Sequence, residues 1–249
     1  QAADKPNILW ITSEDNSPYI GAYGDKLAKT PNIDAMAQDG VLYRNAFSTA
    51  AVCAPARTTL LTGMYPPALG AEHMRSEAPL PSFVKGYPNY LKEAGYYTTN
   101  NSKTDYNVDH AIDGWDESNN KAHWKNRPEG KPFFAIFNFT TSHESSIHKS
   151  IPSEELRHRP EDVVLPPYHP DTPEMRHDWA QYYDKVEDMD TQVGQLLKEL
   201  EEAGLAENTI VFYYADHGGV LGRSKRYLFE TGTHVPMIIR IPEKYKKLY

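Results

Sequence analysis

The sequence predicts one α/β domain, on three observations. Short apolar runs at 7–12, 133–139 and 209–214 have the near-continuous character of strands buried on both faces. From about 176 to 203, Trp179, Tyr182, Tyr183, Val186, Met189, Val193, Leu196, Leu197 and Leu200 recur at helical spacing. Strand-like and helix-like segments alternate along the chain, without internal repeats or low-complexity tracts.

Each element has a local reason. The 7–12 run is a buried parallel strand that delivers Ser13-Glu14-Asp15-Asn16 to its C-terminal end, where open α/β sheets place their ligands. Thr30-Pro31 starts a helix, with Thr30 as N-cap and Pro31 at the first helical position, and Gly40 follows its end. Residues 41–47 form a strand feeding a bend at Cys53. A short helix at 89–94 is stopped by Gly95, and 96–99 is a strand leading to Ser102-Lys103-Thr104-Asp105. The 133–139 run is the best core strand, with Ser142-His143-Glu144 just beyond it. Residues 144–176, rich in Pro, His, Glu and Ser, read as a long loop shaping a pocket mouth. The 176–203 helix stops at Gly204, the 209–214 strand ends in Asp216-His217-Gly218-Gly219, and 236–241 is the last strand.

Composition bounds the function. The chain has 249 residues, 39% hydrophobic and 24% charged, ordinary for a globular protein with a sizeable core. A net charge of −8 argues against a nucleic-acid surface, and any anionic substrate requires cations gathered in one pocket. One cysteine excludes an internal disulfide framework. No apolar run approaches the ~20 residues of a membrane helix. The opening Gln1-Ala2-Ala3-Asp4 carries no signal peptide and reads as the trimmed end of a mature, exported chain, periplasmic or secreted.

Cys53 sits at a Pro-stiffened bend at or just before a helix N-terminus, where free N–H groups and the helix dipole favour an anion. Arg57 adds a planar fork suited to tetrahedral oxyanions. A small, inert core cysteine fits the same spacing. Glu14-Asp15 and Asp216-His217 are adjacent pairs after two different strands, and like charges there repel unless a cation lies between them. Solvated turns are the competing reading for either pair. Lys103, Lys225 and His143 likewise read as ordinary surface groups or as site residues.

The segment Cys53-Ala54-Pro55-Ala56-Arg57, followed by Leu61-Thr62-Gly63, resembles the Cys-x-Pro-x-Arg signature of the type I sulfatases. The resemblance implies an alkaline-phosphatase-like fold, with a central, mostly parallel mixed sheet flanked by helices. It also implies that residues 1–249 are a sulfatase catalytic domain without the usual C-terminal subdomain. In that family the cysteine is oxidised by a formylglycine-generating maturation enzyme to formylglycine, an aldehyde whose hydrate is the nucleophile. Carried over position by position, the resemblance assigns Glu14, Asp15, Asp216, His217 and residue 53 to the metal, calcium first and magnesium second. Glu14 stands where Asp is commoner, and His217 is a poorer ligand for a hard cation than an amide oxygen.

Lys103 resembles the lysine of the family's Gly-Lys-x-His stretch, with Asp105 in place of the histidine. Lys225 resembles the second sulfate-binding lysine, and His143 the histidine that protonates the leaving group or binds the bridging oxygen. His73, Arg75, Asp105, His110 and His148 are weaker candidates for contact with substrate. The segments 162–168 and 170–173, with Asp188-Met189-Asp190, are similar to the heparan N-sulfatases (sulfamidases) and related bacterial polysaccharide sulfatases. The implied substrate is a sulfated carbohydrate, as ester or sulfamate. A phosphodiesterase or phosphonate monoester hydrolase on the same scaffold is the nearer alternative. A non-catalytic sulfoglycan-binding protein with unconverted Cys53 is the other.

Overall fold

A computed structural model describes residues 5–109 and 114–248. In chain order the strands are β1 (Asn7–Ser13), β2 (Val41–Phe47), β3 (Tyr97–Asn101), β4 (Glu117–Ser118), β5 (Phe133–Phe139), β6 (Thr209–Ala215) and β7 (His234–Arg240). The helices are α1 (Pro31–Gln38), α2 (Cys53–Thr62), α3 (Tyr87–Glu93), α4 (Ser145–His148), α5 (Pro173–Glu202) and α6 (Glu230–Thr233). All strands join one seven-stranded mixed sheet in the order β2-β7-β6-β1-β5-β3-β4.

The pairings β6-β1-β5-β3-β4 are parallel, whereas β7 is antiparallel to both β6 and β2. Strand β2 therefore runs in the same direction as the parallel set, and β7 alone runs back. This topology decides where the chemistry goes. The segments after β1, β2, β3, β5 and β6, together with the segment before β7, all emerge at one end of the sheet.

Both faces of the sheet are covered, which explains the apolar runs. Along β1, Leu9 and Ile11 face the side on which Tyr182, Val186, Met189, Val193, Leu196 and Leu200 of α5 pack with Ile33 and Met36 of α1. Ile8 and Trp10 face the other side, against Phe134, Ile136, Tyr87 and Leu91. A period of two on the strand thus feeds two separate cores.

Several boundaries differ from the sequence expectations. Helix α5 starts at Pro173, because Thr172 is a true N-cap whose side chain accepts from Met175 N, and its first turn is polar. Helix α3 starts at Tyr87, with Pro88 in its first turn. Strands β3 and β7 are each shifted toward residues that pair with a neighbour, 97–101 and 234–240. Residues 144–172 are irregular apart from α4 and two single turns of 3-10 helix, at Ser153–Glu155 and Pro160–Asp162.

Thr30 precedes α1 as expected but does not cap it with its side chain. Its hydroxyl donates to Asp34 instead, at 3.0 Å. The exposed N–H groups of α1 are met from α5, where the buried Asp190 carboxylate accepts from Asn32 N (3.2 Å), Asn32 Nδ2 (2.8 Å) and Ile33 N (2.8 Å). Replacing Asp190 with Ala strands these donors in the α1–α5 interface. Asp190→Ala should lower the unfolding free energy by about 2 kcal/mol, read from urea melts. An unchanged midpoint would mean that α1 is held by its apolar face alone.

Candidate active site

Strand register builds the centre of the site. Ser13 pairs with Ala215, so the residues that follow, Glu14-Asp15 and Asp216-His217, lie side by side. Asp15 N donates to Asp216 Oδ1 at 3.2 Å, and His217 N donates to the same oxygen at 3.0 Å. Asp15 has a φ of 50°, left-handed for a residue with a Cβ. Bonds on both sides hold it there, including Tyr182 Oη donating to Asp15 O at 2.6 Å.

The next strands close the ring. Ser13 also pairs with Phe139, which brings Ser142-His143-Glu144 beside Asp15, and Glu144 N donates to Asp15 Oδ2 at 2.7 Å. Cys53 is the first residue of α2, so the expected bend is the helix N-terminus itself. Its Sγ lies 3.2 Å from His217 Nε2 and 3.7 Å from Asp15 Oδ1.

Arg57, Lys103 and Lys225 all reach this ring. One turn along α2, Arg57 is buried, with Nε 3.2 Å from Asp216 Oδ2 and Nη2 3.6 Å from Glu14 Oε1. Lys103, beyond β3, sits 2.7 Å from Glu14 Oε2. Lys225, before β7, lies 2.7 Å from Asp15 Oδ2, 3.1 Å from Glu144 Oε1 and 3.3 Å from His143 Nε2. Asp105 stands 4.0 Å from Lys103. His73, Arg75 and His148 are exposed, and the structure gives them no contact with the ring; His110 falls outside the described residues.

The electrostatics follow from burial set against pairing. Burial and the charge of Asp216 raise the Glu14 carboxyl, against the pull of Arg57 and Lys103. Burial would also raise Asp15, but His217 and Lys225 outweigh it and hold that group well below the usual carboxylate range. Burial opposes charge on His217, yet Asp216 and Asp15 push it up to about 10. Its Nδ1 lies 2.9 Å from the Gly218 carbonyl and must donate there, so Nε2 is the nitrogen that faces Asp15 and Cys53. Burial alone would raise the Cys53 thiol, but contacts with His143 and His217 bring it below its ordinary value.

A divalent cation suits this donor set. Ligand atoms of Asp15, Cys53, Asp216 and His217 all lie within 4.8 Å of one another, and a second grouping joins Glu14, Asp15, Cys53 and His143. Glu14 Oε1 is a buried carboxylate oxygen without a hydrogen-bond partner among the described residues. Three carboxylates and one imidazole form a mainly hard, oxygen-rich set of the kind calcium and magnesium take. Glu14, Asp15 and Asp216 are balanced by Arg57, Lys103 and Lys225. A divalent ion bound in exchange for the proton on His217 Nε2 leaves positive charge over, which an anionic ester can neutralise.

Two supporting groups were not anticipated from the sequence. Asn138 Oδ1 accepts from Arg57 Nη1 at 2.9 Å, while its Nδ2 donates to Asn100 Oδ1 at 3.0 Å. An amide inside an otherwise aromatic and aliphatic strand was the available signal. Glu144 anchors Lys225 and also takes both Arg226 nitrogens at 2.8 Å, and nothing local distinguishes it from a solvated loop carboxylate.

With fold and geometry in place, comparison identifies the class: the chain belongs to the sulfatase family, whose model, described as Sulfatase, matches residues 6–248. It is 40% identical over 287 residues to an ulvan-active sulfatase of Formosa agariphila, covering 97% of this chain and 48% of that protein. It is 28% identical over 284 residues to human N-sulphoglucosamine sulphohydrolase, covering 97% of this chain and 56% of that one. The phosphonate monoester hydrolase of Agrobacterium radiobacter superposes with a TM-score of 0.81 at 19% identity, over 96% of this chain and 68% of that one, a likeness of fold alone. The fold is thus the alkaline-phosphatase-like one. The chain spans about half the length of these curated relatives.

If the acidic ring holds a cation, chelation should destabilise the protein. A ligand at a hundredfold excess over its Kd adds about 2.7 kcal/mol, worth several degrees in a domain of this size. Calcium or magnesium returned to chelated protein should raise its Tm by that amount, and Asp216→Ala should remove the response. Equal Tm values with and without divalent ions would return the acidic pairs to a purely structural role.

Proposed function

We propose that the chain hydrolyses a sulfate ester or sulfamate of a carbohydrate, with residue 53 as nucleophile after oxidation of its cysteine to formylglycine. The carrying observation is the placement of the chain's one cysteine: at the N-terminus of α2, 3.2 Å from His217 and 3.7 Å from Asp15, with Arg57, Lys103 and Lys225 on the same acidic ring. A formylglycine-generating enzyme is the partner this requires. The hydrated aldehyde supplies two hydroxyls on one carbon, one to attack sulfur and one to release the sulfate again.

The remaining residues have separable tasks. Asp15, Asp216 and His217, with Glu14 beside them, would hold the cation, calcium first and magnesium second; it would polarise the nucleophile and a sulfate oxygen. Arg57 is fixed by Asp216 and Asn138, so its charge stays beside residue 53 without reorganisation. Lys103 and Lys225 neutralise charge on the sulfate oxygens. His143 is more open than the rest of the ring, with Nδ1 2.9 Å from Ser145 Oγ and Nε2 3.9 Å from Asp15 Oδ2, and its imidazolium form carries a proton on Nε2. Its contact with Cys53 raises its pKa, keeping that proton available for the departing oxygen or nitrogen.

Sulfated polysaccharide is the substrate class that the relatives' names support, ulvan and N-sulfated glucosamine among them. Export to the periplasm or outside suits a polymer substrate, and no helix among the described residues is long and apolar enough to cross a membrane. Phosphoester or phosphonate hydrolysis is the competing reading on this fold. The match to the sulfatase family model and the 40% identity to a sulfatase favour sulfate.

Cys53→Ala should abolish turnover while substrate binding survives, because Arg57 and both lysines remain. Wild-type kcat in that variant would end the proposal. His143→Ala tests the acid by its role. A sugar alkoxide leaves badly unprotonated and a nitrophenolate leaves well, so the variant should lose about a hundredfold on a sugar sulfate and far less on nitrophenyl sulfate. Equal losses on the two substrates would make His143 a binding group instead.

A further inference from the structure

The segment that carries Lys225 into the site surfaces immediately afterwards as an exposed aromatic strip. Tyr227, Leu228 and Phe229 are 56%, 82% and 44% exposed. The backbone beneath them is tightly held. Arg226 N donates to Ala51 O at 2.7 Å, Tyr227 N to Ser224 O at 3.0 Å and Thr231 Oγ1 to Arg223 O at 2.7 Å. Gly232 approaches so closely from below that a Cβ there would lie 2.0 Å from Tyr227 O. The strip is also bonded to the site, since Arg226 pairs with Glu144 and Glu144 with Lys225.

Two features give this strip a chemistry. The Tyr227 and Phe229 rings lie nearly parallel, 24° between planes and 6.4 Å between centroids, and both are open to solvent. The Arg223 guanidinium lies 4.0 Å over Phe229 and 4.8 Å over Tyr168, and no carboxylate pairs with it among the described residues. Exposed aromatics on fixed backbone, beside an uncommitted cation, mark a place where something else is buried. A pyranose ring has an apolar C–H face and a polar rim. Its face suits the two rings, and an anionic substituent on its rim suits Arg223.

We propose that Tyr227, Phe229 and Arg223 form a subsite for the sugar next to the one being desulfated, with Arg223 taking that sugar's anionic group, a carboxylate or a second sulfate. The inference rests on the sulfatase reading, and it makes the preferred substrate an acidic oligosaccharide longer than one unit. Continuity with the site supports this occupant: the strip lies two to four residues beyond Lys225 on the same loop, joined to it through Glu144 and Arg226.

The test compares wild type, Arg223→Gln and the double variant Tyr227→Ala with Phe229→Ala. The probes are oligosaccharides joining a sulfated sugar to a uronate, the same compounds with carboxyls reduced to alcohols, oligosaccharides carrying a second sulfate, and nitrophenyl sulfate. The double variant should raise KM for every oligosaccharide by about tenfold with kcat kept, and leave nitrophenyl sulfate, which lacks a neighbouring sugar, unchanged. Arg223→Gln should raise KM only where its anion is present, so the uronate and disulfated arms identify that anion.

Unchanged oligosaccharide kinetics in both variants would overturn the subsite. So would concentration-dependent self-association that disappears in the double variant, which would make the strip a contact between copies. Should wild type fail on nitrophenyl sulfate and on every oligosaccharide, the sulfatase reading falls. Calorimetric binding of the uronate oligosaccharide to wild type and the double variant then still decides the subsite.

Discussion

Everything at the working end of this molecule follows from like charges gathered where two hydrogen-bonded strands stop together. The register of β1 on β6 leaves Glu14, Asp15 and Asp216 no room to separate, and all three are buried. Buried carboxylates at such spacing are tenable only with compensating charge. The fold brings that charge from three directions: Arg57 on α2, Lys103 beyond β3 and Lys225 ahead of β7. A cation among the carboxylates completes the compensation in the proposed enzyme. The cysteine then stands directly beside this cluster of charges.

Sheet topology is what makes this convergence possible. One reversed strand, β7, lets the chain enter the sheet from the site end, so Lys225 and the aromatic strip belong to the same rim as the residues leaving the parallel strands. α5 steadies the arrangement from below, through Tyr182 on Asp15 and Asp190 on the start of α1. The supporting amides and carboxylates that lock Arg57 and Lys225 give the site its rigidity, which a site working through pre-placed charge requires.

Much of this was legible in the sequence because the chemistry sits directly after the signals that are easiest to read. Apolar runs mark the strands, and Glu14-Asp15, His143 and Asp216-His217 each follow such a run. Cys53 and Arg57 were legible through the sulfatase motif and Lys103 and Lys225 through other segments resembling that family, since spacing alone left them open. The illegible parts depend on contacts distant in sequence. Asp190 is an ordinary helical carboxylate until α1 is laid against it, and Glu144 is a loop acid until Lys225 and Arg226 arrive. The start of α5 was missed because its first turn is polar and falls outside the apolar stripe, although Thr172-Pro173 repeats the Thr30-Pro31 signal. In turn Thr30, read from that signal, gives its hydroxyl to Asp34 because Asp190 already meets the free N–H groups.

Residue 53 is proposed here as a modified nucleophile among charges placed to receive an anion. Its most direct test is the mass of the peptide containing residue 53, taken from protein made in a host with its maturation enzyme. The expected peptide has one sulfur and two hydrogens replaced by one oxygen, and it reacts with a hydrazide as an aldehyde does. An intact thiol at residue 53 in protein that hydrolyses sulfate esters at full rate would contradict it.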